Sequence, residues 1–577
     1  MALLTITTLL ALALVLPRPV TATASVDWAA FGIGPGEDVA QAVAMDENDV
    51  VYVVGTFHKS MTIQSHSIYS TLSTTVEDDP TAAGYGEMFV AAFDPDGTYL
   101  WAVSSAVTAG SGHGLKLSAA EATVKSGNAL YITGVLSGEA VLGDFTLNSP
   151  DPADPVVVLI KVVPQTGVIE WATSAEIETF GGRVGMTYNP DNQVVALTSY
   201  IRYNATFYAD EVVLSCPVVE QTSETCAVVV VYNNLGGITL TELVPPVTAK
   251  SWIIPTDIVY SSTDTTYFFT GSMVGCVTFD ASIGHTCVPG VGQEGVFLAQ
   301  YHSSSGKFVS AQAYKTGSAT NTDLGTSVDV DESGNPVVVG TFRDVANFGS
   351  ISYHTVEGSV LWAEAVASDG SDIGAGVHVT PQSRDVMFVG IVSGSVEIQG
   401  VPVNVSKGVV LAQFDGDTGD LEFAQVQQGT LYSTDFALAR TQPAGGAPLP
   451  MVLVGGFLNE TANVFDVAII HYGDTPLPPA PPSPPTTTAV STASSTGTAA
   501  SPHHHEHVAV AVAVVFGLAL LVGGAILGFI YRRQSSGNFP HQRLDDQGRL
   551  PPSARSANID ASLSGPAAAA SSMYGAL

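Results

Sequence analysis

The residues best equipped for chemistry are two runs of carboxylates. Asp329-Val330-Asp331-Glu332-Ser333-Gly334 has the spacing with which calcium loops open, and Asp415-Gly416-Asp417-Thr418-Gly419-Asp420 offers similar oxygens. Calcium takes ~6–8 oxygen ligands, and an EF-hand-type loop closes with a bidentate Glu at its twelfth place. Counted from Asp329, that place is Gly340, which has no side chain. Asp, Asn, Ser and Gly also populate tight turns for local hydrogen-bonding reasons, and the turn reading accounts for the same residues. No metal ligand is therefore assigned and no cofactor is expected. The sequence has no G-x-S-x-G nucleophile elbow, no H-E-x-x-H and no G-x-x-x-x-G-K-[ST] loop. FDPDGTYLW places Asp96 directly beside Gly97, so it does not fit a sialidase-type Asp box, S-x-D-x-G-x-x-[WF]. Histidines such as His113, His285 and His354 are scattered. No catalytic residue is named.

Other reactive positions point to a compartment. Cys216, Cys226, Cys276 and Cys287 form an even set, as oxidising environments favour. Three pairings exist, and the two local ones, Cys216–Cys226 and Cys276–Cys287, are expected because each closes a short loop. Spacings of ten and eleven residues do not match a zinc finger. Asn204, Asn404 and Asn459 head N-x-[ST] triplets and are glycan acceptors if the chain is secreted. His503-His504-His505-Glu506-His507 either binds a metal or forms a solvated polar boundary, and the boundary is favoured. The terminal Tyr574-Gly575-Ala576-Leu577 matches the Y-x-x-Φ signal read by endocytic clathrin adaptors. Tyr574 and Leu577 are its candidate contacts.

The distribution of charge explains where such residues would work. The 577-residue chain has 46% hydrophobic and 12% charged residues and a net charge of −34. That composition argues against an acidic disordered chain, a coiled coil and a nucleic-acid binder. Between Ser25 and His507 stand 13 Lys and Arg against 50 Asp and Glu, whereas after Ile530 there are 5 Arg and 3 Asp. Two uncharged apolar runs mark the borders. Leu3 to Leu16, followed by Ala22-Thr23-Ala24, reads as a signal peptide, residues 1–24. Val508 to Ile530 is long enough to cross a bilayer, and Tyr531-Arg532-Arg533 follows it as a cytoplasmic flank should. Within it, Gly524 and Gly528 form GxxxG, which permits close helix–helix approach. Residues 475–507, rich in Pro, Thr and Ser, read as an extended stalk, and 531–577 as a disordered tail. The expectation is a single-pass type I protein of the plasma membrane with its N-terminus outside.

Residues 25–474 must then supply the folded body, and they repeat. Trp28, Trp101, Trp171, Leu240, Ser310, Trp362 and Phe423 recur at spacings of 73, 70, 69, 70, 52 and 61 residues. Four residues before five of these slots stands a turn glycine: Gly97, Gly167, Gly236, Gly306 and Gly419. A second series, Gly55, Gly134, Ser199, Gly271, Gly340, Gly390 and Gly455, closes apolar runs such as VYVVGTF and YFFTGSM. Gly-containing turns between short apolar runs are hairpin signals. Seven units of about four strands predict an all-β, seven-bladed propeller. The opening strand SVDWAAFG is of the outermost type, and the last unit lacks one, so the N-terminus is expected to close the last blade. Unit five is shorter. Gly358 to Trp362 spans 4 residues where Gly295 to Ser310 spans 15. Either this blade lacks about one strand and its turn, or the gene was mis-assembled.

Units such as LGTSVDVDESGNPVVVGTF and GVFLAQYHSSSGKFVSAQ resemble the short β-propeller repeats of many bacterial surface proteins. The resemblance covers most of residues 25–474 and implies the fold. It implies no catalytic residues, because that family is not tied to one activity. The reading is a cell-surface receptor or adhesion-like protein whose propeller binds an extracellular protein or glycan, with no nucleic acid. The alternative is a propeller ectoenzyme acting on extracellular glycans or peptides.

Overall fold

The described residues belong to the first compact unit of the chain, which runs up to Leu477. The structure is a computed structural model. It describes residues 25–70, 85–108, 113–123, 128–178, 183–217, 224–280, 283–288, 294–316, 324–341, 346–347, 361–363, 366–368, 373–380, 384–399, 401–428, 431–438, 451–459 and 464–473, all in the first unit. The expected signal peptide, stalk, membrane segment 508–530, tail, His503–His507 cluster, Tyr574 and Leu577 lie outside the described residues. Among the described residues, no helix is long and apolar enough to cross a membrane.

The described chain is a seven-bladed β-propeller built from antiparallel sheets. Blade one shows the pattern, with Val39–Met45 innermost, then Val51–Phe57, Glu87–Phe93 and Tyr99–Ser104 outermost. The innermost strands of blades two to seven are Gly114–Thr123, Gly185–Asn189, Trp252–Ser261, Leu324–Val330, Ile373–Val379 and Leu431–Leu438. These strands form because apolar, β-branched and aromatic residues run between turns of Asp, Asn and Gly. Third strands such as Val156–Val162 are buried along their whole length, as expected of a strand covered on both faces. The hydrophobic core is accordingly not central. It is divided into layers between consecutive blades, for example Val54, Val90 and Leu115 between blades one and two, and Val157, Leu197 and Val230 between two and three.

Closure occurs as the sequence predicts. The N-terminal strand Ser25–Ile33 pairs antiparallel with the last strand, Val464–Gly473, from Ser25 opposite Gly473 to Gly32 opposite Val467. It thereby becomes the outer strand of blade seven.

The recurring tryptophans and turn glycines join neighbouring blades. Trp28, Trp101 and Trp171 stand in outer strands and Trp362 at the corresponding repeat position outside a strand, and all four donate their Nε1–H to a turn carbonyl of the following blade. The acceptors are Pro95, Pro164, Asn234 and Gly416, at 3.0, 2.9, 2.9 and 2.8 Å. The turn glycine packs flat on the indole. At Gly97, φ is +79° and a Cβ would lie 2.5 Å from Trp28 Cδ2, so only glycine fits. Leu240 takes the same place under Gly306.

One feature exceeds the four-strand expectation. Blades one to four insert a hairpin between their second and third strands: Ser60–Ile63 with His66–Tyr69, Glu139–Leu142 with Phe145–Asn148, Asn204–Phe207 with Val212–Ser215, and Cys276–Asp280 with Gly284–Cys287. Blade six carries its hairpin as an extension of Val386–Ile398 and Val401–Phe414. Each hairpin reaches back to the preceding blade: Gly32 pairs with Ile63, Val107 with Ala140, Ala175 with Phe207 and Pro246 with Val277. Polar alternation and short length hide such hairpins in the sequence among ordinary loop residues.

Candidate functional site

The innermost strands surround the central channel, where a propeller gathers side chains from distant parts of the chain. In six of the seven blades, the inner strand carries a bulge opposite the second-strand glycine series. Gly55 shows the reason: a Cβ there would lie 2.1 Å from the Val39 carbonyl oxygen. The bulge leaves one residue unpaired and turns polar side chains toward the neighbouring blade.

A polar side chain crosses every one of the seven junctions. Gln41 Oε1 accepts from the Leu117 N–H at 2.9 Å. Ser118 Oγ accepts from the Val184 N–H and donates to its carbonyl, both at 3.2 Å. Thr187 Oγ1 accepts from the Tyr260 N–H at 3.1 Å. Asp257 Oδ2 accepts from the Val328 N–H at 2.9 Å and the Ser327 hydroxyl at 2.8 Å. Asp329 Oδ2 accepts from the Val379 N–H at 2.7 Å. His378 Nε2 donates to the Phe436 carbonyl at 3.0 Å. Asp435 Oδ2 accepts from the Val43 N–H at 3.0 Å. Buried polar groups must be paired, and here the pairs fasten each blade to the next.

Blades four to seven concentrate the ionisable members. His378 Nδ1 faces Asp329 Oδ2 at 3.2 Å while Nε2 faces a carbonyl. A carbonyl accepts and an ionised carboxylate accepts, so a doubly protonated, cationic imidazole satisfies both contacts. Burial pulls the His378 pKa down. The hydrogen bond and charge of Asp329, the charge of Asp435 and the Phe436 carbonyl outweigh it and hold the pKa at about 9. Burial raises Asp257 and Asp435 to about 6 each, against hydrogen bonds that favour their ionised forms. The His378 side chain remains 41% accessible, so the arc opens onto the channel. Its chemical capacity is proton exchange near neutral pH, and its carboxylates also hold backbone N–H groups.

Apart from Asp329, the residues singled out in the sequence lie elsewhere. Cys216 is bonded to Cys226 and Cys276 to Cys287, the two local pairings. The first ties the end of blade three's hairpin to its third strand, and the second joins cross-strand partners in blade four's hairpin. Asn204 is exposed at the start of Asn204–Phe207. Asn404 pairs with Ser395 in the blade-six hairpin, and Asn459 ends Met451–Asn459. The carboxylate runs act in turns. Asp331 Oδ1 accepts from the Ser333 and Asn335 N–H groups and Oδ2 from the Asn335 amide. Asp415 Oδ1 accepts from Asp417 and Thr418. Asp329 alone of these turns to the channel. Among the described residues, no group of three or more His, Cys, Asp or Glu could hold a metal ion. His285 Nδ1 pairs with the Thr278 hydroxyl at 2.9 Å, and His113 lies beside Tyr85. His354 is outside the described residues.

Sequence reasoning did not single out Gln41, Asp257, His378 or Asp435. The signal was present, since Gln41 and His378 are each the lone polar residue of an otherwise apolar inner strand, and Asp257 and Asp435 are each the lone charged residue of theirs.

No protein-family model matches the chain, and no curated protein matches it. Solved structures do resemble it distantly. BamB from Moraxella catarrhalis is 11% identical with a TM-score of 0.28, over 75% of this chain and 85% of that one. The Dos1 propeller is 8% identical with a TM-score of 0.34, over 78% and 95%. Raptor from Chaetomium thermophilum is 10% identical with a TM-score of 0.32, over 78% and 29%. The strand order by itself establishes the propeller, and function takes nothing from these likenesses. Of the resemblance to short β-propeller repeats read in the sequence, the seven-bladed fold is what the structure shows.

Proposed function

We propose that this chain is a type I cell-surface protein whose propeller binds an extracellular protein or glycan through its rim. One observation carries the reading. The channel's carboxylates and its histidine are hydrogen-bonded across blade junctions, so the channel chemistry serves ring closure and recognition falls to the hairpins and turns outside it. Two disulfides on those hairpins favour an oxidising compartment. The charge step across residues 508–530 favours an external N-terminus. The test is a screen of the full-length chain, displayed on cells, against extracellular proteins and glycans, with surface biotinylation as the location control. Saturable binding lost on hairpin exchange, with folding retained, supports the reading. Binding unchanged by every exchange, or a chain inaccessible to biotinylation, counts against it.

The alternative, a propeller ectoenzyme, draws on the convergence of Asp257, Asp329, His378 and Asp435 on one arc of the channel. Hydrolysis of a glycan or peptide that disappears with Asp435→Asn, while ligand capture persists, would favour it. For the tail, we propose that Tyr574 and Leu577 engage a clathrin adaptor. Tyr574→Ala is expected to raise the surface fraction, and unchanged internalisation removes that role.

A further inference from the structure

We infer that the cleft between blades two and three binds a neutral oligosaccharide, an inference that rests on the binding reading above and names its site and ligand class. The cleft has a volume of about 730 Å³, within the ~300–1,000 Å³ usual for ligand sites. Four elements build it. Blade two's hairpin contributes Thr146 and Asn148, and its outer strand contributes Trp171 and Thr173. The turn of blade three's hairpin contributes Tyr208 and Asp210, and the turn carrying Gly236 completes the wall.

These walls are fastened to one another, so the cleft is preformed. Trp171 Nε1 donates to the Asn234 carbonyl at 2.9 Å, Ala175 pairs with Phe207, and the Tyr208 N–H donates to the Ser174 carbonyl at 3.0 Å. The Tyr208 hydroxyl donates to Glu176 Oε1, which orients a ring that is 41% exposed.

The lining selects its ligand by elimination. It contains no Lys or Arg, so an anionic sugar, a phosphate or a nucleotide meets no countercharge on a chain of net −34. An all-hydrocarbon ligand would cover Thr146, Asn148 and Thr173, whose side chains make no hydrogen bond among the described residues, and would strand their polar atoms. Asp210 accepts from the Ile238 N–H through Oδ2, and Oδ1 remains as a second acceptor. A neutral sugar answers both requirements. Its C–H face lies against the Tyr208 ring, and its hydroxyls meet the threonines, the Asn148 amide and the Asp210 carboxylate.

The experiment uses the full-length chain on an array of neutral mannose-, glucose-, galactose- and N-acetylglucosamine-terminated oligosaccharides, with sialylated and sulfated counterparts and a panel of extracellular proteins. Retention of a neutral oligosaccharide that weakens at least about tenfold in both Tyr208→Ala and Asn148→Ala supports the inference. Tyr208→Phe should retain binding, because the stacking face survives. Both alanine variants should unfold at the wild-type temperature, since the two side chains are exposed. Neutral-glycan binding untouched by both variants overturns the inference and leaves the binding reading standing, as does binding only to a sialylated or sulfated glycan or to a protein. Binding to none of the probes overturns both.

Discussion

A tryptophan that fills the gap between two blades and also hydrogen-bonds across it is hard to replace. Trp171 is 9% exposed, stacks under Gly236 and donates to Asn234. Truncation to Ala removes the ring contacts and the bond together and is expected to cost ~3–5 kcal/mol in urea denaturation. The complementary change acts through the glycine. Gly97→Ala must hold φ near +79° with a Cβ against the Trp28 indole, and the expected loss is ~1–3 kcal/mol. At the channel, Asp329→Asn removes the carboxylate that stabilises the His378 cation. The His378 pKa should fall from about 9 toward its ordinary 6.5, as read by NMR titration of the ring protons. An unmoved titration would show that Asp329 does not set the charge state.

At the scale of elements, the hairpins between second and third strands fasten blades one to four to their predecessors, and the disulfides act on two of these. The Cys276–Cys287 loop closes 11 residues. Its removal by paired Cys→Ser substitution is expected to cost ~2–3 kcal/mol, seen as a lower melting temperature. The short fifth unit also becomes intelligible. In blades one, two and three, the turn glycine between the third and outer strands receives the large slot residue of the preceding blade. Unit five lacks the residues for that turn, and the facing slot in blade four is the small Ser310. Ser310→Trp is therefore expected to give no stabilisation, which thermal melts would check.

For the ring as a whole, pH acts on the channel arc in a single direction. His378 has a raised pKa, so its contribution is complete below about 6.5 and is lost as pH rises through about 9. Asp257 and Asp435 also have raised values, near 6. The folded state binds their protons more readily than the unfolded chain does, and stability therefore falls as pH rises from about 4 through 6. The melting temperature should accordingly be higher at pH 5.5 than at pH 9, and Asp435→Asn should flatten the profile below pH 7. A profile that rises with pH would contradict this arrangement.

Much of this molecule was legible from its chain alone. The blade number, the closing N-terminal strand and the local cysteine pairings follow from repeat spacing, complementary ends and loop length, because each is a local or periodic property. The role of the repeats was not legible. Trp101 and Gly167 stand 66 residues apart, and nothing short-range reveals that one lies on the other. The channel arc was hidden for the same reason. Asp257, Asp329, His378 and Asp435 come from four blades, and Asp435 finds its partner Val43 392 residues away. Only ring closure brings such groups within hydrogen-bonding distance, so periodicity determined the scaffold and tertiary structure alone decided which polar residues meet.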